Sequence, residues 1–183
     1  MMSRNKIKSA LVVGGIILSS LTAIGHASKQ STNTNDQPVF GRYEVVNIAE
    51  LGNVPINAKI DTGAYTASLN AKDIEYYEKE GDKWVRFTPV VDDKELATKE
   101  LPLVKVSRIK QRVEEGDNDD VESARRPVVE LTVCIGEQKK VIEVNLTNRD
   151  HFTYPLLVGA KALRQFDALV DAGRKYIADP ECK

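Results

Sequence analysis

Seven short apolar runs, most of them separated by Gly, Pro, Asn or Asp, constrain the fold more than any other feature of this sequence. They read "RYEVVNI", "INAKI", "KWVRFTPVV", "LPLVKVSRI", "PVVELTVCI", "KKVIEVNL" and "YPLLVG". Runs of this length, rich in valine and isoleucine, are typical of β-strands. Because many short strands with tight punctuation indicate a closed barrel or a sandwich, we predict a mainly β domain with little helix.

Two other stretches carry helical patterns. Residues 71–81, "AKDIEYYEKEG", predict a single turn of helix. Residues 159–170, "GAKALRQFDALV", predict an amphipathic helix. The side chains expected on its apolar face are Ala162, Leu163, Phe166 and Leu169.

The first residues have the pattern of an export signal. A positively charged start precedes an apolar stretch over residues 10–24, and small residues lead up to Ala27. The sequence therefore predicts a signal peptide at 1–27, a polar flexible linker at 28–38 and one domain at 39–183. The expected product is periplasmic or secreted and keeps no membrane span after cleavage; an uncleaved anchor is the alternative.

Composition and charge exclude some functions. The chain has 183 residues, of which 42% are hydrophobic and 29% charged, so it can bury a core. A formal net charge of -1 gives no attraction to nucleic acid, which we do not expect as a partner. The cysteines, Cys134 in a strand-like run and Cys182 near the C-terminus, form either a disulfide, as an oxidising compartment permits, or two separate thiols.

Residues 101–131 predict a long β-hairpin with an acidic tip, "EEGDNDDVESA", and basic residues on its arms. Such a hairpin is either a mobile cover over a cleft or a solvated loop whose opposite charges offset one another. Within the tip, "DNDD" lacks the alternating ligands, central glycine and terminal glutamate of a calcium loop.

The candidate chemistry lies at "IDTGA", where an apolar strand leads into Asp61. Two carboxylates that share one proton can hydrolyse an amide, because one activates a water while the other donates to the carbonyl. Thr62 offers a hydroxyl to fix the loop, Gly63 permits a sharp turn and close approach of another backbone, and Ala64 leaves room. Alone, Asp-Thr-Gly is also a common turn sequence.

A second element near the C-terminus supports the catalytic interpretation. In "YPLLVGAKAL" an apolar strand ends at Gly159 and leads into a helix. The pair of elements resembles the retropepsin-like aspartic peptidases. More closely, the segments "FGRYEVVNIAELGNVPINAKIDTGAYTASLNA", "RRPVVELTV" and "NRDHFTYPLLVGAKALRQFDALVD" resemble the bacterial family once labelled "ATP-dependent zinc proteases", related to the partner proteases of RimK-type ligases.

The resemblance implies a closed acid-protease barrel with one short C-terminal helix, a peptide or protein substrate and a homodimer. It implies catalytic roles for Asp61, Thr62 and Gly63. It also implies substrate contacts for the residues Ala64, Val158 and Gly159. The chain departs from the family pattern at three positions: Tyr65 replaces a basic residue, Asn70 a histidine and Ala160 an arginine.

The family's old label does not fit these residues. Catalytic zinc needs about three protein ligands, yet His26 lies in the predicted signal peptide and only His151 follows it. The sequence contains no phosphate-binding Gly-Lys-Ser or Gly-Lys-Thr loop. We therefore predict no metal and no cofactor. His151 is either a residue at the cleft edge or an ordinary loop histidine.

A dyad needs a second aspartate. Asp171-Ala172-Gly173 imitates the first motif but is better interpreted as the turn of a terminal hairpin. A two-fold homodimer would instead bring Asp61 of each chain together. The sequence thus predicts an exported, homodimeric aspartic endopeptidase. The alternatives are a non-catalytic binding module of the same fold and, last, a metal-dependent hydrolase.

Overall fold

The computed structural model describes residues 37–109 and 124–182. The predicted signal peptide, all but the last two linker residues and the hairpin tip lie outside these ranges. The described elements are β1 (Val39–Gly41), β2 (Tyr43–Ile48), a 3-10 helix (Ala49–Leu51), β3 (Pro55–Asp61), β4 (Ala67–Lys79), β5 (Asp82–Val91), β6 (Lys94–Glu95), β7 (Lys99–Pro102), β8 (Lys105–Ile109), β9 (Ala124–Ile135), β10 (Gln138–Thr147), β11 (Leu156–Gly159), α1 (Ala160–Gln165) and β12 (Leu169–Asp171).

Six of the described strands close into a barrel. They follow the order β10-β9-β2-β3-β11-β4, and β4 pairs in parallel with β10 to complete the ring. Side chains alternate between the inside and the outside along each strand, as the pleat requires. In β3, for example, Ile56, Ala58 and Ile60 are buried inside, whereas Lys59 is exposed. The predicted closed, mainly β fold with one short helix is therefore confirmed.

The core is the apolar filling of this barrel. Its largest fully buried side chains include Phe40, Phe87, Phe166, Ile48, Ile56, Leu69, Leu131, Ile135, Ile142, Leu146 and Leu156. Each fully buried side chain of this size stabilises the fold by about 1.5–3 kcal/mol relative to exposure. Within the described residues no helix is long and apolar enough to cross a bilayer.

The predicted helical turn at 71–81 is wrong, because most of this segment belongs to β4. It pairs with β5 from Glu75↔Arg86 to Lys79↔Asp82, past a register shift beside Asp73, whose φ is 50°. Cross-strand pairing overrides local propensity here, and three pairs of opposite charge face each other across the two strands: Glu75↔Arg86, Glu78↔Lys83 and Lys79↔Asp82.

The second helical prediction is partly confirmed. α1 is shorter than expected, and Ala162, Leu163 and Phe166 are buried as predicted. Leu169 is not: it lies in β12 and is 44% exposed. The chain leaves the helix through Asp167, which has a φ of 51°, and β12 then pairs in parallel with β1.

The two strands of the hairpin predicted at residues 101–131 are present in the structure. β8 pairs antiparallel with β9 from Lys105↔Val128 to Ile109↔Ala124. The run "LPLVKVSRI" is two strands, β7 and β8, because the chain changes partner between them: β7 pairs with β5, whereas β8 pairs with β9.

The expected terminal hairpin is absent from the described residues. Asp171 does form the predicted turn, since its Oδ1 accepts the N–H of Gly173 at 2.9 Å. The chain beyond it does not return along β12, because it docks on the junction of β1 and β2. There the N–H of Arg42 donates to the carbonyl of Arg174 at 2.9 Å.

A buried carboxylate organises this docking. Glu44 is fully buried and accepts the N–H groups of Gly41, Ile177 (3.2 Å) and Ala178 (3.1 Å). Backbone donors of this kind offset the cost of burying the charge. The tail then reaches β9, where Cys182 forms a disulfide with Cys134 at a Cα–Cα distance of 5.9 Å.

We expect the Cys134→Ala/Cys182→Ala variant to fold but to lose about 2–4 kcal/mol of unfolding free energy, since the disulfide closes a long loop. Thermal unfolding with and without reductant measures this. Reductant should lower the Tm of the wild-type protein and leave that of the variant unchanged. An equal Tm for the two proteins under oxidising conditions would contradict a structural role.

Candidate active site

The two sequence elements that predicted a site lie side by side. β11 pairs in parallel with β3, and the register aligns Gly159 with Asp61 at the ends of the two strands. Asp61 is the last residue of β3 and faces outward, with 23% of its side chain exposed. The barrel thus presents this carboxylate at its surface, beside the start of α1.

Both oxygens of the Asp61 carboxylate have donors. Oδ1 accepts the N–H of Gly63 at 3.0 Å and that of Ala64 at 3.2 Å, and Oδ2 lies 3.0 Å from Nζ of Lys59. Burial raises the pKa of Asp61, but the hydrogen bonds and charge of Lys59 and the two backbone donors together hold that pKa below its usual value.

The loop after Asp61 is fixed by its neighbours. The N–H of Ala160 donates to the carbonyl of Ala64 at 2.8 Å, and that of Lys161 to the carbonyl of Tyr65 at 2.9 Å. On the other side Nδ2 of Asn145 donates to Oγ1 of Thr66 at 3.1 Å. The first two residues of α1 therefore position the loop through backbone contacts, which do not depend on the side chain at 160.

Gly159 permits this arrangement because its backbone touches the loop. A Cβ at this position would lie 2.6 Å from the carbonyl oxygen of Thr66 and 2.9 Å from that of Ala64. The adjacent Val158 is fully buried in the barrel core. In the single chain Gly159 therefore lets the loop pack on β11, and the side chain of Val158 lies in the core.

The remaining predicted site residues lie on the loop itself. Thr62 is exposed and lines a groove of about 290 Å³ with Ala160, Leu163, Arg164, Ala168, Leu169 and Val170. Among the described residues its hydroxyl makes no hydrogen bond, so the expected loop-fixing role is filled by backbone contacts. Gly63 is exposed too and lies in the turn that follows β3, as predicted, with a φ outside the left-handed region.

Sequence reasoning did not assign two arginines to the site: Arg149, which interacts with Asp61 through its charge, and Arg126, which interacts with Arg149 and was noted only as a basic residue of the hairpin. Arg149 is only 6% exposed, its Nε donates to the carbonyl of Tyr154 at 3.4 Å, and its guanidinium lies over the Phe152 ring. Burial lowers the pKa of Arg149, the charge of Arg126 lowers it further, and the charge of Asp61 raises it. Nε of Arg126 is buried without a partner among the described residues.

Asn70 holds the loop that carries Arg149. Its Oδ1 accepts the N–H of Arg149 at 2.7 Å, its Nδ2 donates to Asp150 at 3.1 Å, and its own N–H donates to the carbonyl of Pro155 at 2.7 Å. The departure from the family pattern at Asn70 was the available signal. His151, in the same loop, is exposed.

Other carboxylates do not build a metal site here. Asp171 closes its own turn, and the described residues contain no cluster of three side chains that could hold a metal ion.

The fold and this site define a class. Residues 39–181 match the model of the RimB-like family, described as "Retropepsin-like aspartic endopeptidase RimB". The chain belongs to this family.

The chain is also similar to individual proteins, whose names differ from that of the family. A solved structure of a Legionella pneumophila protein of unknown function is 33% identical, with a TM-score of 0.64, covering 76% of this chain and 97% of that one. Proteins named "Probable alpha-L-glutamate ligase" match at 29% identity in Shewanella pealeana, over 75% of this chain, and at 28% in Desulfotalea psychrophila, over 68%. This chain spans 29% and 26% of the lengths of those ligases.

We expect Gly159→Ala to lower the unfolding free energy by about 1–3 kcal/mol, because the added methyl group meets two backbone carbonyls. Gly63→Ala is the matched control, since its Cβ would meet only Oδ1 of Asp61, at 3.4 Å. Chemical denaturation of both variants measures the difference. Equal stabilities would contradict the close contact at Gly159.

Proposed function

We propose that this protein is an aspartic endopeptidase that cleaves peptide bonds with Asp61. One observation carries the proposal: in a member of a family described as aspartic endopeptidases, the strand β3 delivers Asp61 to the surface, with its carboxylate oriented by backbone donors. The loop that holds it is braced by α1 and β11, so the carboxylate keeps a fixed direction before substrate arrives.

The chemistry requires a second carboxylate, which we propose comes from a second copy of the chain. A two-fold axis close to Asp61 would pair it with its twin. One carboxylate then takes a proton from water, whose oxygen bonds to the peptide carbon, while the other donates its proton to the carbonyl oxygen. Collapse of this intermediate breaks the C–N bond, and a proton passes to the leaving nitrogen.

The exposed Gly63 and the groove beside Thr62 favour such a pairing. Both leave room for another backbone close to Asp61. The hairpin formed by β8 and β9 would cover the substrate. We further propose that the protein works after export, as its first 27 residues suggest, and the disulfide between Cys134 and Cys182 suits an oxidising compartment.

The substrate, we propose, carries glutamate side chains. Arg149 and Arg126 repel each other, and the buried Nε of Arg126 has no partner among the described residues. A substrate carboxylate would neutralise this repulsion and accept from the guanidinium groups. The similarity to proteins named alpha-L-glutamate ligases points to the same amino acid.

We expect Asp61→Asn to abolish cleavage, by on the order of 10³-fold or more, because the amide cannot act as a base. The measurement is cleavage of a peptide library by the protein from residue 28 onward, read by mass spectrometry across acid and neutral pH. Asp171→Asn is the matched control, as it alters the similar Asp-Ala-Gly turn. Cleavage that survives Asp61→Asn would refute the proposal, and a folded protein without any cleavage would favour a binding module.

Arg126→Gln should reduce the preference for glutamate over glutamine next to the cleaved bond by about tenfold, as expected for loss of a charge-assisted hydrogen bond. Cleavage of matched peptides that differ only by Glu or Gln measures this preference. Arg108→Gln, on the neighbouring strand β8, is the control. An unchanged preference in Arg126→Gln would contradict the role of this arginine, while leaving the role of Asp61 intact.

A further inference from the structure

Lys59 has a contact that the peptidase chemistry described above does not use. Lys59 and Asp61 stand two residues apart on the outward face of β3, and Nζ of Lys59 lies 3.0 Å from Oδ2 of Asp61. Because side chains at i and i+2 of a strand point the same way, the backbone itself sets this pair side by side. The ammonium group therefore lies against the carboxylate proposed to do the chemistry.

The contacts of Asp61 disfavour its protonated form. Oδ1 already accepts two backbone N–H groups, and Oδ2 faces the ammonium of Lys59. A carboxylate accepts hydrogen bonds more strongly than a neutral carboxyl group does, so each of these three donors favours the ionised form.

The other cationic groups on the elements packed around Asp61 make no contact with its carboxylate that the structure records among the described residues. From the loop before β11, Arg149 acts on Asp61 by charge alone. On α1, Nζ of Lys161 lies 2.8 Å from Glu143, and the guanidinium of Arg164 lies over the ring of Tyr65. Lys59 is thus the cation whose ammonium contacts the Asp61 carboxylate in the described part of the chain.

We propose that Lys59 is a positioning residue of the peptidase site, whose ammonium fixes Oδ2 of Asp61 and sets the pH range in which the site works. This inference rests on the proposed function of Asp61 and adds that Lys59 controls the pH dependence of the site. Two protomers would bring two lysines to the paired carboxylates. Their charges reduce the repulsion between the carboxylates but disfavour the shared proton.

The direction of the effect follows from the charge. A neutral residue at position 59 makes protonation of Asp61 easier, so the ionised base forms only at higher pH and the shared proton is also lost at higher pH. Both limbs of the pH profile of kcat/KM should therefore move upward in Lys59→Gln. Activity falls at the acidic end and rises at the alkaline end.

The test compares pH profiles of kcat/KM for the wild-type protein, Lys59→Gln and Lys59→Arg. The charge-conserving arginine should keep the wild-type profile. Lys79→Gln is the matched control, because this lysine of β4 lies over the ring of Trp84 on β5. Unmoved limbs in Lys59→Gln, or an equal shift in Lys59→Arg, would overturn the inference.

A second readout separates this inference from the proposed function. Carboxyl NMR of Asp61 follows its titration without any need for catalysis, and Lys59→Gln should move that titration to higher pH. If Asp61→Asn stays active, the proposed function fails and the role of Lys59 in the peptidase site fails with it, whereas the NMR titration still shows whether Lys59 stabilises the ionised Asp61 carboxylate. If Asp61→Asn is inactive but Lys59→Gln titrates as the wild type does, only the role of Lys59 is refuted.

Discussion

The parallel pairing of β3 with β11 is the constraint on which the rest of the site depends. It aligns Asp61 with Gly159 at two neighbouring strand ends, and the missing side chain at Gly159 lets the loop after Asp61 lie directly on β11. Backbone groups of α1 then fix that loop. The orientation of this carboxylate is therefore set largely by main-chain contacts. Such contacts tolerate sequence changes better than a network of side chains does.

Much of the barrel could be predicted from the sequence, because each short apolar run carries its own strand signal. The predictions failed where a partner distant in sequence decided the outcome. Residues 71–79 form a strand because β5 lies alongside and pairs with them. Leu169 left the helix because β1 offered a parallel partner. Neither partner can be read from the local pattern.

The site shows the same division. The pattern around Asp61 and Gly159 was visible in the sequence, and the structure brings the two together, although their catalytic role remains a prediction. The interaction of Arg149 with Arg126 was missed because the two residues lie in different segments and meet only through the fold. Lys59 adjoins Asp61 in sequence, yet its importance depends on a distance that only the structure supplies.

β4 pairs with β5 outside the six-stranded barrel, and the free edge of this pairing has a bearing on solubility. An open strand edge invites further strands from other molecules, and so promotes fibrous aggregation. Here the outer edge of β5 is covered by two short segments, β6 and β7. β7 ends in Pro102 and carries Lys99 and Glu100, residue types that discourage strand addition. These features of the edge therefore disfavour the addition of strands from other copies of the chain.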